Sequence, residues 1–213
     1  MKNLDKVKSL AKRELKSDPT GHDYLHVQRV ADLSMRLVAD DHDQVDYDVM
    51  LAASYLHDVI DEKLFKDHVE QQVEKVTQVL QNSGFSETEI GDILDIIQHM
   101  SFSKNIEHHY PLSKEGQYVQ DADRLDALGA IGIARAFAYG GKHNQLIYNY
   151  NIKPQEITSH RQYRQHQATT FNHFYEKLFK LENLMNTAAG KKEAQQRTDF
   201  MKKFIAEFKN ETN

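Results

Sequence analysis

The chain has 213 residues, enough for one sizeable domain, with 32 acidic residues against 27 Lys and Arg, 12 histidines and no cysteine. The lack of cysteine excludes a disulfide framework, a thiolate zinc finger, an iron–sulfur cluster and a cysteine nucleophile. A net charge of −5 gives no general attraction to nucleic acid or to an anionic membrane, which leaves imidazole, carboxylate, hydroxyl and guanidinium chemistry.

Residues 1–16 put Leu4, Val7, Leu10, Ala11 and Leu15 on one helical face. Asp5 and Glu14 interrupt the positive charge of the other face, which favours a docked first helix over a transit peptide or membrane-surface helix. Asp18-Pro19-Thr20-Gly21 reads as a turn, and His26, Val30, Leu33 and Leu37 then recur at helical spacing as one inward stripe. Asp40, Asp41, Asp43, Asp46 and Asp48 read as a solvated connection. Residues 46–60 are apolar nearly all round, the mark of a central buried helix.

Val69, Val73, Val76 and Leu80 mark the next helix, closed by Ser83-Gly84. Ser86-Glu87-Thr88-Glu89 is a capping box ahead of Ile90, Ile93, Leu94 and Ile97. Residues 101–117 are polar and irregular. From about Tyr118 the pattern predicts one long helix, rich in Ala and Gly and stopped by Gly140-Gly141; after Pro154 it predicts two amphipathic helices, about 158–184 and 191–209. The expected architecture is an all-α, single-domain helical bundle over 1–213, with a metal core at about 20–140 and C-terminal helices at about 155–210. The longest mostly apolar stretch, Val49 to Leu56, falls far short of the ~20 residues needed to span a bilayer, so a cytoplasmic protein is expected.

His-Asp occurs at His22-Asp23, His42-Asp43 and His57-Asp58. His57-Asp58 stands out because it ends the most apolar helix, where burying an imidazole and a carboxylate costs several kcal/mol unless they are paired or bind a metal. A helix-end cap would explain this pair alone equally well. His26 adds weight, since it occupies a position where the apolar pattern asks for leucine. A third polar intrusion is Asp121-Ala122-Asp123-Arg124-Leu125-Asp126, in which Asp123 shares a face with Ala127, Ala130 and Ala134. Asp121 and Asp123 could equally serve as helix-start carboxylates. Two histidines and two carboxylates together suit a divalent cation with open positions for water.

In this order His26, His57-Asp58 and Asp123 resemble the signature of the HD-domain metal-dependent phosphohydrolases. The likeness extends to Gly21-His22-Asp23, Arg29-Val30, Leu56-His57-Asp58 and the run from Asp121 to Arg135, and it continues near Leu184–Ala188 and Phe200–Phe204. It is closest to the small bacterial single-domain type that includes nucleotide pyrophosphohydrolases. The resemblance implies an all-α fold and one divalent ion, manganese or magnesium ahead of nickel, iron, cobalt or zinc, held by His26, His57, Asp58 and Asp123. It favours Asp123 over Asp121. It also implies that His57 and Asp58 grip one ion, although adjacent residues on a regular helix do not face each other.

Around that centre, Asp61 and Glu62 match an acidic pair that assists the attacking water in a guanosine-tetraphosphate-hydrolysing branch of the family, there in the order Glu-Asp; a solvated turn is the other reading. Arg29 and Arg124 are candidate phosphate contacts, with His22, His99 and Lys104 as further substrate contacts. The expected activity is hydrolysis of a nucleoside triphosphate to monophosphate and pyrophosphate. The alternatives are a nucleoside monophosphate phosphomonoesterase, a non-enzymatic helical regulator, and a zinc peptidase suggested by His22-Asp23-Tyr24-Leu25-His26, a loose copy of His-Glu-x-x-His. Neither a nucleic-acid nor a membrane partner is expected, and a homodimer is left open.

Overall fold

The structure, a computed structural model, describes residues 2–15, 18–60, 69–159, 162 and 169–212. Among these residues there are helices and turns but no strand. Helix α1 (Leu4–Glu14) buries Val7, Leu10 and Ala11, so the amphipathic N-terminus is a docked helix. Helix α2 (Tyr24–Asp41) is capped by Asp23, whose carboxylate accepts the His26 N–H, and buries His26, Val30, Leu33 and Leu37. Helix α3 (Tyr47–Leu56) is capped by Asp46 and is apolar on every side. It packs against α1, α2, α5 (Glu87–His99) and α6 (Lys114–Asp126), which makes it the axis of the molecule. Helix α4 (Val69–Asn82) lies against α1 and α5, and the Ser86–Glu89 capping box opens α5 as expected. No helix among the described residues is long and apolar enough to cross a membrane.

Three expectations need correction. The apolar helix expected over 46–60 ends at Leu56, and residues 57–60 form a turn in which Val59 N donates to Leu56 O. The long helix expected from Tyr118 is two: α6 begins earlier, at Lys114 behind a Ser113 cap, and ends at Asp126, and α7 (Gly129–Lys142) follows. Gly129 has φ +73°, and a Cβ there would lie 3.3 Å from the Arg197 side chain, so the Ala- and Gly-rich run turns a corner instead of forming one packing ridge. Asp121 and Asp123 therefore sit in the last turns of α6, not at a helix start. Finally, α7 runs through Gly140-Gly141 to Lys142.

The helix expected over 158–184 is described only in part. Helix α8 covers residues 170–184, opening as Thr170–His173, widening into a π-helical turn at Phe174–Leu178 and closing through Phe179–Leu181 and Glu182–Leu184. The π turn delivers Phe174 into a fully buried position against Phe137 and Phe204. Helix α9 (Ala188–Thr212) crosses α7, α6 and α2 and closes the bundle.

Candidate metal centre

His26 lies in the first turn of α2 with a side chain 1% exposed. Its Nδ1 donates to Asp126 Oδ2 at 2.7 Å, which leaves the Nε2 lone pair pointing into the bundle. His57, the first residue beyond α3, donates from Nδ1 to Ser54 O at 2.8 Å, so its Nε2 is free in the same way. The two Nε2 atoms stand 3.2 Å apart. With both Nδ1 protons committed elsewhere, two facing lone pairs at this separation call for a positive charge beside them.

Carboxylates close the cluster. Asp123 Oδ1 on α6 lies 3.3 Å from His26 Nε2 and 3.7 Å from His57 Nε2. Asp58 places Oδ1 3.5 Å from His57 Nε2 and Oδ2 3.6 Å from His26 Nε2. The adjacency of His57 and Asp58 is no obstacle, because the backbone tightens there into a turn closed by Val59 N–H on Leu56 O, and the Asp58 oxygens come within 3.5–3.6 Å of both Nε2 atoms. Asp123 remains 32% exposed, which gives the cluster an open side. His22 Nδ1 stands 3.3 Å from Asp58 Oδ2 at the rim. Two overlapping sets, His22/His26/Asp58 and His26/His57/Asp123, have donor atoms close enough together to hold a metal ion.

Electrostatics agree with a cation here. Burial works against charge on His26, but the hydrogen bonds its ring donates to Asp123 and Asp126 and the charge of Asp58 outweigh it and push its pKa up to about 9. Burial likewise opposes ionisation of Asp58, yet the neighbouring His57, the hydrogen bond with His22 and the nearness of His26 hold its carboxyl well below the usual range. Asp123 is held low against burial by His26 and His57. The cluster is thus an electron-rich pocket that draws either a proton or a metal ion, and its imidazole and carboxylate donors fit a hard-to-borderline divalent ion.

The remaining candidates separate. Arg29 is committed to Asp126, with Nε donating to Oδ1 at 2.7 Å and Nη2 to Oδ2 at 2.9 Å. Arg124 is buried and donates to Leu184 O, because consecutive helical residues point about 100° apart and Asp123 takes the inward direction. His99 bonds Asp95 and stacks on Tyr110 at 4.6 Å, and Lys104 donates to Gln98 O; the two lie at the end of α5 and in the segment after it. Asp61 and Glu62 lie outside the described residues. His22 and His26 do not share a helix, since α2 starts at Tyr24, which removes the geometry of a His-Glu-x-x-His peptidase.

Sequence reasoning missed Asp126 and Arg135. Asp126 sits one turn beyond Asp123, as Arg29 sits one turn beyond His26, and that shared spacing was the available signal. Asp121 does something separate from the cluster. Its carboxylate accepts the Asn186 and Thr187 N–H groups at 2.8–3.0 Å and the Thr187 hydroxyl at 2.8 Å, tying α6 to the start of α9. Burial raises its pKa despite these bonds.

The HD domain profile matches residues 23–128, a span that contains His26, His57, Asp58 and Asp123. Bacillus subtilis YpgQ is 32% identical over 212 residues, covering 99% of this chain and 94% of that protein. A Lactobacillus plantarum protein of known structure superposes with a TM-score of 0.86 at 42% identity, covering 98% of this chain and 95% of the other. An HD-superfamily hydrolase from Bacillus thuringiensis gives 0.75 at 38%, covering 99% and 96%. YpgQ in complex with ADP gives 0.76 at 29%, covering 98% and 97%. With likeness running the length of the chain and the profile spanning the buried His–Asp cluster, the chain belongs to the HD superfamily of hydrolases.

Proposed function

We propose that the protein is a divalent-metal-dependent phosphohydrolase that acts on nucleotides, splitting a nucleoside triphosphate into monophosphate and pyrophosphate. The observation that carries the reading is the pair of Nε2 atoms 3.2 Å apart, each with its Nδ1 proton committed, closed by Asp58 and Asp123. The ADP found on YpgQ, a relative over nearly the whole chain, supports a nucleotide as ligand.

His26, His57, Asp58 and Asp123 are the residues that would hold the ion. A bound divalent ion would supply polarisation of a phosphoryl oxygen and a lowered pKa for water. His22, at the rim against Asp58, faces the route by which a phosphate chain would enter, and the exposed side of Asp123 leaves room for it. Asp61 and Glu62 are the proposed orienting bases for the attacking water, on the family resemblance.

The test is metal analysis of the purified protein together with a nucleotide panel, with and without added manganese or magnesium, resolving phosphate from pyrophosphate. Pyrophosphate with monophosphate is the expected product pair, and phosphate alone would make the protein a phosphomonoesterase. A metal-free protein without turnover, behaving the same after His57→Ala, overturns the proposal.

A further inference from the structure

Behind the cluster, on the side away from solvent, the Asp126 carboxylate is filled by four donors. Oδ1 accepts Arg29 Nε at 2.7 Å, while Oδ2 accepts Arg29 Nη2 at 2.9 Å, Arg135 Nη1 at 2.7 Å and His26 Nδ1 at 2.7 Å. A carboxylate offers about two lone-pair sites on each oxygen, so Oδ2, which meets three of the four donors, has none left over. Asp126 is buried and Arg135 nearly so. The Arg135 stem is itself seated by the turn before α2: a Cβ on Gly21, at φ +79°, would meet Arg135 Cγ at 3.0 Å.

Burying a carboxylate between two guanidinium groups is a poor way to gain stability, because well-packed apolar residues of similar volume often serve as well or better. What an apolar trio could not do is fix an imidazole. Rotation of the His26 ring, or a shift of its proton to the other nitrogen, would break the 2.7 Å bond to Asp126 and turn a proton toward His57 Nε2. Both guanidinium groups favour the ionised carboxylate, and their fixed geometry leaves it one orientation toward His26.

We infer that Asp126, clamped between Arg29 and Arg135, is the positioning residue for His26: it holds the Nδ1 proton and so presents Nε2 to the cation. The inference rests on the proposed metal-dependent function. It also reassigns Arg29, read from the sequence as a phosphate contact, to holding the carboxylate that holds the ligand.

The test compares the full chain with Asp126→Asn. Manganese affinity is measured from the free-ion electron paramagnetic resonance signal, and the zinc-loaded protein is examined by histidine 15N NMR, with folding checked by circular dichroism. An asparagine can still accept one bond, but it loses the charge that recruits both arginines. The expected result is roughly 10- to 100-fold weaker manganese binding, together with loss or displacement of the low-field His26 Nδ1–H resonance. A residue that only tied helices together would leave that resonance in place.

Should Asp126→Asn fail to fold, Arg135→Met decides. It keeps the carboxylate and removes one clamp, and is expected to weaken manganese binding by a smaller factor, on the order of threefold. Unchanged affinity in the folded variant, or an unmoved Nδ1–H resonance, overturns the inference while leaving the proposed function intact. A wild-type chain that takes up neither manganese nor zinc overturns both.

Discussion

A buried imidazole has one lone pair to give, and the atom behind it decides which nitrogen carries that lone pair. For His57 that atom is the Ser54 carbonyl oxygen, part of the backbone, whereas for His26 it belongs to a side chain that can be mutated away. His57→Ala is therefore expected to lose manganese binding by more than about a hundredfold, because no neighbouring donor can take its place. His22→Ala should lose less than about tenfold, since His22 reaches the cluster through Asp58 and stands at the exposed rim. Isothermal titration with manganese reads both, and the reverse ranking would move the ion toward His22. His26 and His57 were legible as members of the cluster because each breaks an apolar pattern, whereas Asp123 was singled out from Asp121 only by the family resemblance. Asp126 was not, because a carboxylate one turn further along a polar run looks like surface until the fold closes over it. The reading of Arg124 failed for the opposite reason: sequence adjacency to Asp123 is angular separation on a helix.

Among the elements, the break between α6 and α7 does most to shape the site. Composition alone favoured one long helix, since alanine is the best helix former and a lone glycine costs only about 1 kcal/mol. What ends α6 is burial of Leu125 and Leu128 on either side of a corner that only a residue at positive φ can turn. The corner sends α7 back so that Arg135 meets Asp126. Replacing Gly129 by alanine should cost about 1–2 kcal/mol for the left-handed conformation, visible as a lower urea midpoint, and any crowding of Arg197 adds to it. A variant as stable as the parent would show that the corner tolerates a side chain. The end of α3 was equally hidden: Val59 and Ile60 continue the apolar run, and no proline or glycine marks the point where the backbone tightens.

At the scale of the whole molecule, the turn before α2 is strapped to the end of α7 by Lys142, which donates to Asp18 Oδ1 at 2.8 Å. Burial works against ionisation of Asp18, but bonds from Lys142 and Thr20 prevail and lower its pKa to about 2. The folded pKa lies below the ordinary value near 3.9, so this stabilisation is present above about pH 4 and fades as the pH falls toward 2. The stability gap between the parent and Asp18→Asn, measured by urea unfolding, should therefore be larger at about pH 6 than at about pH 3. A constant gap would mean that the strap holds through something other than charge. The ties from α6 and the end of α2 to the C-terminal region carry a consequence of another kind. Asp121 is satisfied by Asn186 and Thr187, Asp41 by the Ala189 N–H, and the Leu125 carbonyl by Arg197. The span matched by the HD profile thus holds groups whose partners come 65 or more residues later, and the two buried ones, the Asp121 carboxylate and the Leu125 carbonyl, are each worth about 1–3 kcal/mol if abandoned. A chain cut in the segment after α7 should bind a hydrophobic dye, lose its near-ultraviolet circular dichroism and exchange its α6 amides rapidly. Grafting or trimming at the far end is then expected to loosen α6 and with it the His–Asp cluster, so residues 23–128 alone should not keep that geometry.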